Sequence, residues 1–234
     1  MRLLNGHPTL AYTIAPALES GVFDSVIVST DSEEIAAVAR HYGAEVPFLR
    51  PATFASDTSP DIEWLDHTIR ELAKQGRSWD AFGLLRPTSP FRSADMIRRA
   101  WARFTAQQGV DSLRAVEKCA QHPGKMWIVR GDRMVPLLPF ASPKADGGEQ
   151  PWHSTPYQAL PPIYVQNASL EIAWTRVVLE RQTIAGDVIV PFVTEGYEGF
   201  DINDPTDWMI AERLLADGVV SLPPVRQAPF GAAV

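Results

Sequence analysis

The chain has 234 residues, and 45% of them are hydrophobic, which is enough for a substantial core in one large domain or in a domain with an appendage. A formal charge of -7, from 28 acidic residues against 21 Lys and Arg, argues against non-specific binding of nucleic acid. No apolar run approaches the roughly 18 residues needed to cross a bilayer, and the N-terminus lacks a signal-peptide pattern. The single Cys119 fits a reducing compartment. We therefore expect a cytoplasmic protein with no nucleic-acid or membrane partner.

Strand-like and helix-like segments alternate in the first part of the chain. Residues 25–29 predict a strand, and residues 31–34 are typical of a capping box that opens a helix running to about Tyr42. Residues 46–49 predict a second short strand. Ser59 and Pro60 then predict the N-cap and the first-turn proline of the next helix.

The most informative segment is the polar, proline-containing turn at residues 86–92. It follows residues 81–85, which predict a buried central strand, and it leads into a helix whose N-cap is Ser93. Residues 112–116 predict the next strand. Repeated β-α units predict the α/β class with a mainly parallel sheet. Ligands bind at strand ends in such sheets, so the turn is a candidate binding site.

Residues 135–162 differ from the rest, because they are rich in proline and show little periodicity. Long segments of this kind usually act as lids or interaction arms, although buried packing equally explains their aromatic side chains. Further strands are predicted at three places, residues 163–172, 188–193 and 199–202. Asp204 predicts the N-cap of a last helix, and residues 221–234 predict a loosely packed tail.

Asp201 and Asn203 form a candidate metal site. If the segment is extended, side chains 201 and 203 point to the same side, so a carboxylate and an amide oxygen lie next to each other. Mg²⁺ prefers oxygen ligands and often completes its shell with phosphate and water. This pair therefore predicts a magnesium site that a phosphate-bearing substrate would complete.

Seven motifs occur in one order along the chain: VIVSTDSEE at 26–34, VPFLRPA at 46–52, ASDTSPD at 55–61, LRPTSPFR at 85–92, QHPGKMW at 121–127, YVQNA at 164–168 and FDINDPTDW at 200–208. Together they closely resemble the acylneuraminate cytidylyltransferases, the CMP-sialic acid synthetase family. The likeness extends over nearly the whole chain, up to about the last twenty residues.

The resemblance implies a three-layer α/β/α, Rossmann-like fold of the nucleotide-diphospho-sugar transferase type over residues 1–220. In that family, the region matching residues 135–162 is a dimerisation arm, so a homodimer is expected. The implied reaction joins CTP to a sialic-acid-like nonulosonic acid, releases pyrophosphate and serves surface glycan biosynthesis. Such a transfer needs positioning, cations and Mg²⁺ more than a covalent nucleophile.

The resemblance also implies roles for individual residues. Arg50, Ser59 and Asp61 would border the cytidine pocket. Arg86 stands where the family commonly has Gln, and it would either grip the acceptor carboxylate or pair with a structural acid. The acceptor-side candidates are Gln158, Tyr164, Gln166 and Asn167, and the catalytic candidates are Lys125 and Asp201. The family usually has two acids at the metal position, whereas this sequence has Asp201 and Asn203.

One departure concerns the start of the chain. Residues 1–8 match a passage that family members precede with a first strand and a Gly-rich, basic loop around the triphosphate. The explanations are a start assigned at an internal methionine, a fragment, or a genuine loss, and we favour the first. The alternatives to a sialic-acid-like cytidylyltransferase are a non-catalytic nucleotide- or sugar-binding homologue and a nucleotidyltransferase for another sugar.

Overall fold

The computed structural model describes residues 2–56, 58–144 and 147–231. It contains two compact units: one comprises Met1–Val116 with Asn167–Val234, and the other comprises Glu117–Gln166. In chain order the elements are β1 (Leu3–Leu4), β2 (His7–Pro8), α1 (Ala11–Ser20), α2 (Glu33–His41), α3 (Asp61–Lys74), β3 (Ala81–Leu84), α4 (Ala94–Thr105), β4 (Ser112–Lys118), β5 (Trp127–Arg130), β6 (Arg133–Pro136), β7 (Ala141–Pro143), β8 (Glu149–Pro151), β9 (Tyr164–Trp174), α5 (Thr175–Arg181), β10 (Ile189–Val193) and α6 (Pro205–Ala216).

The larger unit is built on a four-stranded sheet in the order β10-β4-β9-β3. Strand β10 runs parallel to β4, with Val190 opposite Leu113, whereas β3 runs antiparallel to β9. The main core packs α4 on this sheet, since Ile97 and Phe104 cluster with Leu113 and Leu170. These apolar side chains leave water together, which is the main stabilising term. The predicted α/β class is confirmed, with a mixed sheet.

Three of the predicted strands do not form. Within residues 25–29, Ile27 makes only an isolated parallel bridge to Glu45, and residues 46–49 contain no strand. The backbone N–H of Val28 still donates to the Glu45 carbonyl at 2.9 Å, so the segment is extended. A strand needs several consecutive backbone-paired residues, and one isolated bridge does not supply them. A run of β-branched residues in an extended conformation is therefore not enough to predict a strand. Residues 199–202 likewise contain no strand.

Strand β3 forms as predicted, but its predicted central, buried position is wrong. It lies at the edge of the sheet, and all of its residues are half-buried. The strand is only half-buried because its outer edge has no strand partner within the part of the chain that the structure describes. An edge strand exposes unpaired backbone groups and leaves its side chains incompletely covered.

The helix caps follow the sequence closely, with one exception. Ser32 and Ser93 cap α2 and α4, and Asp204 caps α6 in a reciprocal capping box with Asp207. Ser59 is the exception, because α3 begins directly after Pro60 and has no side-chain cap. The hydroxyl of Ser59 instead lies 2.8 Å from that of Ser56. The prediction of Ser59 as an N-cap is therefore wrong.

The smaller unit contains two hairpins, β5-β6 and β7-β8. The predicted arm, residues 135–162, thus includes the regular strands β7 and β8, which the sequence did not reveal because each has only three residues, too few to show a period. His122 is buried and holds the start of this unit: its Nδ1 accepts from the Gly124 N–H, and its Nε2 lies 3.0 Å from the Pro161 carbonyl.

None of the described helices has both the length and the apolar character needed to cross a bilayer.

Candidate active site

A groove of about 1,480 Å³ lies in the larger unit between the extended residues 22–30 and strand β3. Helices α1 and α3 contribute further walls, through side chains such as Ile14 and Leu65. Four residues assigned to substrates from the sequence, Arg50, Ser59, Asp61 and Arg86, line this one groove. The fold therefore brings together side chains that are up to 36 positions apart, counted from Arg50 to Arg86.

Arg50 is held at the end of the extended segment. Its Nε donates to the Ser29 hydroxyl at 3.1 Å, and its Nη2 donates to the Ser29 carbonyl at 2.6 Å. The guanidinium also lies 4.6 Å from the ring centroid of Trp64, within cation-π range. Burial lowers the pKa of Arg50, while Asp31 and Asp61 oppose that shift. Arg50 is thus a fixed cation in the groove.

Asp61 and Arg86 form an ion pair at the same end of the groove. Asp61 also accepts from the Trp64 indole N–H at 3.0 Å. Arg86 reaches a second acid, Glu171, at 4.0 Å, and Glu171 in turn pairs with Arg114. Burial lowers the pKa of Arg114, and the neighbouring Asp61 opposes this. Two acids and two arginines therefore form one continuous, internally neutral network.

Arg92 ties the polar turn to the core. It is completely buried, donates to the Ser169 carbonyl at 2.7 Å and to the Arg86 carbonyl at 2.8 Å, and lies 3.4 Å from the Thr13 hydroxyl. Burial lowers its pKa to about 9, and the charge of Asp201 opposes that shift. At neutral pH Arg92 is therefore a buried cation that fixes the backbone carrying Arg86.

The candidate metal residues lie beside this turn. The Ile202 N–H donates to the Thr88 carbonyl at 2.9 Å, so the segment carrying Asp201 runs along the turn. Oδ1 of Asp201 is buried without a hydrogen-bond partner, as is the Ser89 hydroxyl. Buried polar atoms are normally satisfied, so an orphaned carboxylate oxygen fits a cation ligand. Asn203 is exposed, and its N–H donates to Asp207.

Within the described ranges, no three His, Cys, Asp or Glu side chains converge as a metal cluster. A hard cation bound at Asp201 would consequently need oxygen ligands from elsewhere, and substrate phosphates supply such ligands. Asp201 and Asn203 therefore fit Mg²⁺ when substrate phosphates complete its set of oxygen ligands.

The acceptor-side candidates divide between the two units. Asn167 belongs to the larger unit, where its side chain donates to Thr194 at 2.9 Å and accepts from the Ser169 N–H. Lys125 belongs to the smaller unit, where Nζ donates to the carbonyls of His153 and Thr155 at 2.9 and 2.5 Å. The remaining candidates, Gln158, Tyr164 and Gln166, also lie in the smaller unit, and Tyr164 is half-exposed to solvent.

Four further residues of the site were not predicted from the sequence: Trp64, Arg92, Arg114 and Glu171. One signal was present for Glu171, since a charged residue between Leu170 and Ile172 interrupts an apolar strand pattern. Buried charges are rare unless paired, so that interruption indicates a buried partner. Nothing local to Arg114 identifies Glu171 as that partner, because strand pairing brings them together.

Comparison with known proteins identifies the family. A family model described as cytidylyltransferase matches residues 1–63. The chain is 33% identical over 223 residues to CMP-N,N'-diacetyllegionaminic acid synthase of Legionella pneumophila, over 92% of this chain and 88% of that protein. It is 42% identical over 98 residues to N-acylneuraminate cytidylyltransferase of Escherichia coli, over 42% of this chain and 22% of that protein.

A solved structure of CMP:2-keto-3-deoxy-manno-octonic acid synthetase complexed with CTP shares the fold, with a TM-score of 0.63 at 11% identity over 93% of this chain and 91% of that one. The likeness to the Legionella relative extends through nearly the full length of both proteins. The chain belongs to the acylneuraminate cytidylyltransferase family of nucleotidyltransferases.

Proposed function

We propose that this protein transfers a cytidylyl group from CTP to a sialic-acid-like nonulosonic acid and releases pyrophosphate, for surface glycan biosynthesis. The observation that carries the proposal is the convergence of Arg50, Asp61 and Arg86 in one groove. A nucleotide and an acidic sugar are both anions, and arginine binds phosphate and carboxylate in a bidentate manner. The relatives support the substrate class, since the Legionella protein is named for an activated legionaminic acid and the Escherichia coli protein for acylneuraminate.

The chemistry is a displacement at phosphorus. The anomeric hydroxyl oxygen of the acceptor attacks the α-phosphorus and releases its proton to water, the bond to the bridging oxygen breaks, and pyrophosphate leaves with that electron pair. The side chain of Arg50 would stabilise charge on the nucleotide, and that of Arg86 would hold the acceptor carboxylate. Asp201 and Asn203 would hold Mg²⁺, which when bound offsets the charge that develops on the leaving group.

Lys125 is the second catalytic candidate. Its ammonium donates to two backbone carbonyls, so it is positioned without a neutralising carboxylate in those contacts. A cation of this kind would assist the binding of an anionic substrate. Its catalytic role is part of the proposal.

We also propose a homodimer formed through the smaller unit. The β5-β6 hairpin exposes Val129 at 71%, Met134 at 56% and Val135 at 46%, although all three are apolar. Val129 lies directly opposite Met134 in the hairpin, and neighbouring exposed apolar side chains favour an interaction site. A second copy of the chain would cover it, and the protein would work as a dimer in the cytoplasm.

The proposal is tested by measuring pyrophosphate release from CTP with Mg²⁺ and a panel of nonulosonic acids. We expect release that depends on both CTP and the acceptor, with UTP a poor substitute. CTP binding by calorimetry, without release for any acceptor, would instead favour a non-catalytic binding homologue. Faster release with another sugar or nucleotide would favour a different nucleotidyltransferase.

A further inference from the structure

Glu171 is a buried acid at the base of an arginine that lines the groove. It belongs to β9, where it stands directly opposite Leu84, the last residue of β3. Arg86 follows Leu84 by two positions, where the chain leaves the sheet and enters the polar turn. Arg86 lines the groove, whereas Glu171 does not. Strand pairing therefore fixes a carboxylate behind the arginine rather than in front of it.

The carboxylate of Glu171 lies between two arginines. Its Oε1 is 4.0 Å from Nη2 of Arg86, and its Oε2 pairs with Arg114 of β4. Burial lowers the pKa of Arg114, Asp61 opposes that shift, and the charge of Arg86 adds to it. The two guanidinium groups are thus close enough to repel each other. The negative charge of Glu171 offsets this repulsion and attracts both cations.

The four charges divide into a buried half and an exposed half. The side chains of Arg114 and Glu171 are 10% and 5% exposed, whereas those of Arg86 and Asp61 are 35% and 25% exposed. A substrate anion can reach only the exposed half. Exchange with such an anion therefore replaces Asp61, while Glu171 keeps its contact with Arg86.

Stability alone does not account for the buried pair of Arg114 and Glu171. Removing two charges from water costs about as much as their attraction returns, so an apolar pair of similar volume is often equally stable. The 4.0 Å distance from Glu171 to Arg86 is too long for a hydrogen bond, so Glu171 acts on that guanidinium through its charge. A buried charge that acts on an arginine of the groove is suited to orienting it.

We propose that Glu171 is a positioning residue, which retains the guanidinium of Arg86 at the end of the groove when a substrate carboxylate replaces Asp61. Arg114 is the buried counterion that keeps Glu171 charged. The inference rests on the proposed function, because the carboxylate belongs to the acceptor sugar. Two acids already balance two arginines, so the departure of one acid makes room for one negative charge. The site therefore favours an acceptor with a single carboxylate over its neutral ester.

The first test measures the order of Arg86 itself, without any substrate. The Nε–Hε signal of Arg86 is assigned by nuclear magnetic resonance through its loss in Arg86→Gln. Asp61→Asn removes the exposed partner and leaves Glu171 in place, so the order parameter of this bond should stay within about 0.1 of its original value. Adding Arg114→Gln and Glu171→Gln together should lower it below about 0.6, the range of mobile groups.

The second test measures selectivity for the charge of the acceptor. Calorimetry with CTP but without Mg²⁺, so that no transfer occurs, compares N,N'-diacetyllegionaminic acid with its methyl ester. The original protein should bind the acid about tenfold or more tightly than the ester, because the ester cannot accept a charge-assisted hydrogen bond from Arg86. In Arg114→Gln/Glu171→Gln that ratio should fall to about threefold or less, with the Kd of the ester changed less than about twofold.

The double variant neutralises both buried charges together, so it leaves no unpaired buried ion and should fold, which circular dichroism checks. Should it not fold, Glu171→Asp takes its place, because it keeps the charge that Arg114 needs but withdraws the carboxylate from Arg86. An intermediate loss of order is then expected. The matched control is Arg99→Gln with Glu198→Gln, an ion pair outside the groove, which should change neither measurement.

An order parameter of Arg86 that is the same with and without Glu171 in the Asp61→Asn background would overturn the proposal, and so would an unchanged ratio of acid to ester binding. Equal effects of the control pair would also overturn it, because they would show a general loosening of the unit. If the original protein releases no pyrophosphate with any acceptor, the proposed function fails. The order parameter is measured without substrate, so it still decides the role of Glu171.

Discussion

Arg86 and Asp61 form an ion pair at one end of the groove. The family resemblance implies a place for Asp61 beside the nucleotide, and for Arg86 it leaves open either the acceptor carboxylate or a structural acid. The pair is partly exposed, with 35% of the Arg86 side chain and 25% of the Asp61 side chain accessible. Exposed pairs contribute little to stability, which makes this pair available for exchange with a substrate anion. The acceptor carboxylate would thus compete with Asp61 for the guanidinium.

Arg86→Gln should raise the KM for the acceptor roughly tenfold or more and leave the KM for CTP within about twofold, because a charge-assisted hydrogen bond to the carboxylate is lost. Steady-state kinetics with each substrate varied in turn provide the measurement. Arg103→Gln, at an exposed position of α4, is the control. Equal increases in both KM values would mean that the arginine organises the whole groove rather than one substrate.

Asn203→Asp should lower the Mg²⁺ concentration needed for half-maximal activity about threefold or more, because a second carboxylate attracts a hard cation more strongly than an amide does. Asp201→Asn should raise that concentration and reduce kcat. Titrations of pyrophosphate release against Mg²⁺ measure both effects, and circular dichroism controls for folding. An unchanged Mg²⁺ dependence in both variants would argue against a metal at this position.

Arg92→Met should destabilise the protein by about 3 kcal/mol, because the carbonyls of Ser169 and Arg86 lose a charged donor in a buried place. Urea unfolding measures the change. The control is Arg98→Met in the same region of the chain, where the arginine is exposed and its effect should be small. A loss below about 1 kcal/mol for Arg92→Met would show that water replaces the guanidinium without difficulty.

Asp111→Asn should remove a contribution to stability that depends on pH. The backbone N–H groups of Asp187 and Val188 hold the pKa of Asp111 at about 2, below its ordinary 3.8, with help from Arg176 and Arg181. A depressed carboxyl pKa contributes stability fully above the unfolded value, and that stability is lost as pH falls through the folded value. The stability gap between the original protein and the variant should therefore narrow between pH 3.8 and about 2. Thermal unfolding across that range measures it, and a constant gap would contradict the assignment.

Val129→Glu should convert the proposed dimer to a monomer, because it places a charge on the exposed apolar hairpin where a second copy would bury it. Sedimentation velocity measures the change in mass. Asp132→Glu, in the turn of the same hairpin, keeps the local charge and serves as the control. A monomeric original protein, or a dimer that survives Val129→Glu, would rule out this face as the interface.

The sequence predicted the local structure well where the determining contacts are local. The caps at Ser32, Ser93 and Asp204 form between residues two or three positions apart, so the motif itself contains both partners. The strand prediction failed at residues 25–29, because a strand needs backbone pairing with a neighbouring strand, and no local sequence pattern shows that this neighbour is in place. It also missed the hairpins of the smaller unit, because their exposed strands lack an apolar period.

By itself, the sequence determined the α/β class, the starts of α2, α4 and α6, and the family, because ordered motifs and capping chemistry are properties of short segments. Only the tertiary structure decided that Asp61 pairs with Arg86, that Arg114 pairs with Glu171, and that β3 lies at an edge facing a groove. These relationships join residues far apart in the chain, and they depend on strand pairing and on which buried charges find partners. Such contacts are selected by the free energy of the whole packed unit, which no single segment specifies.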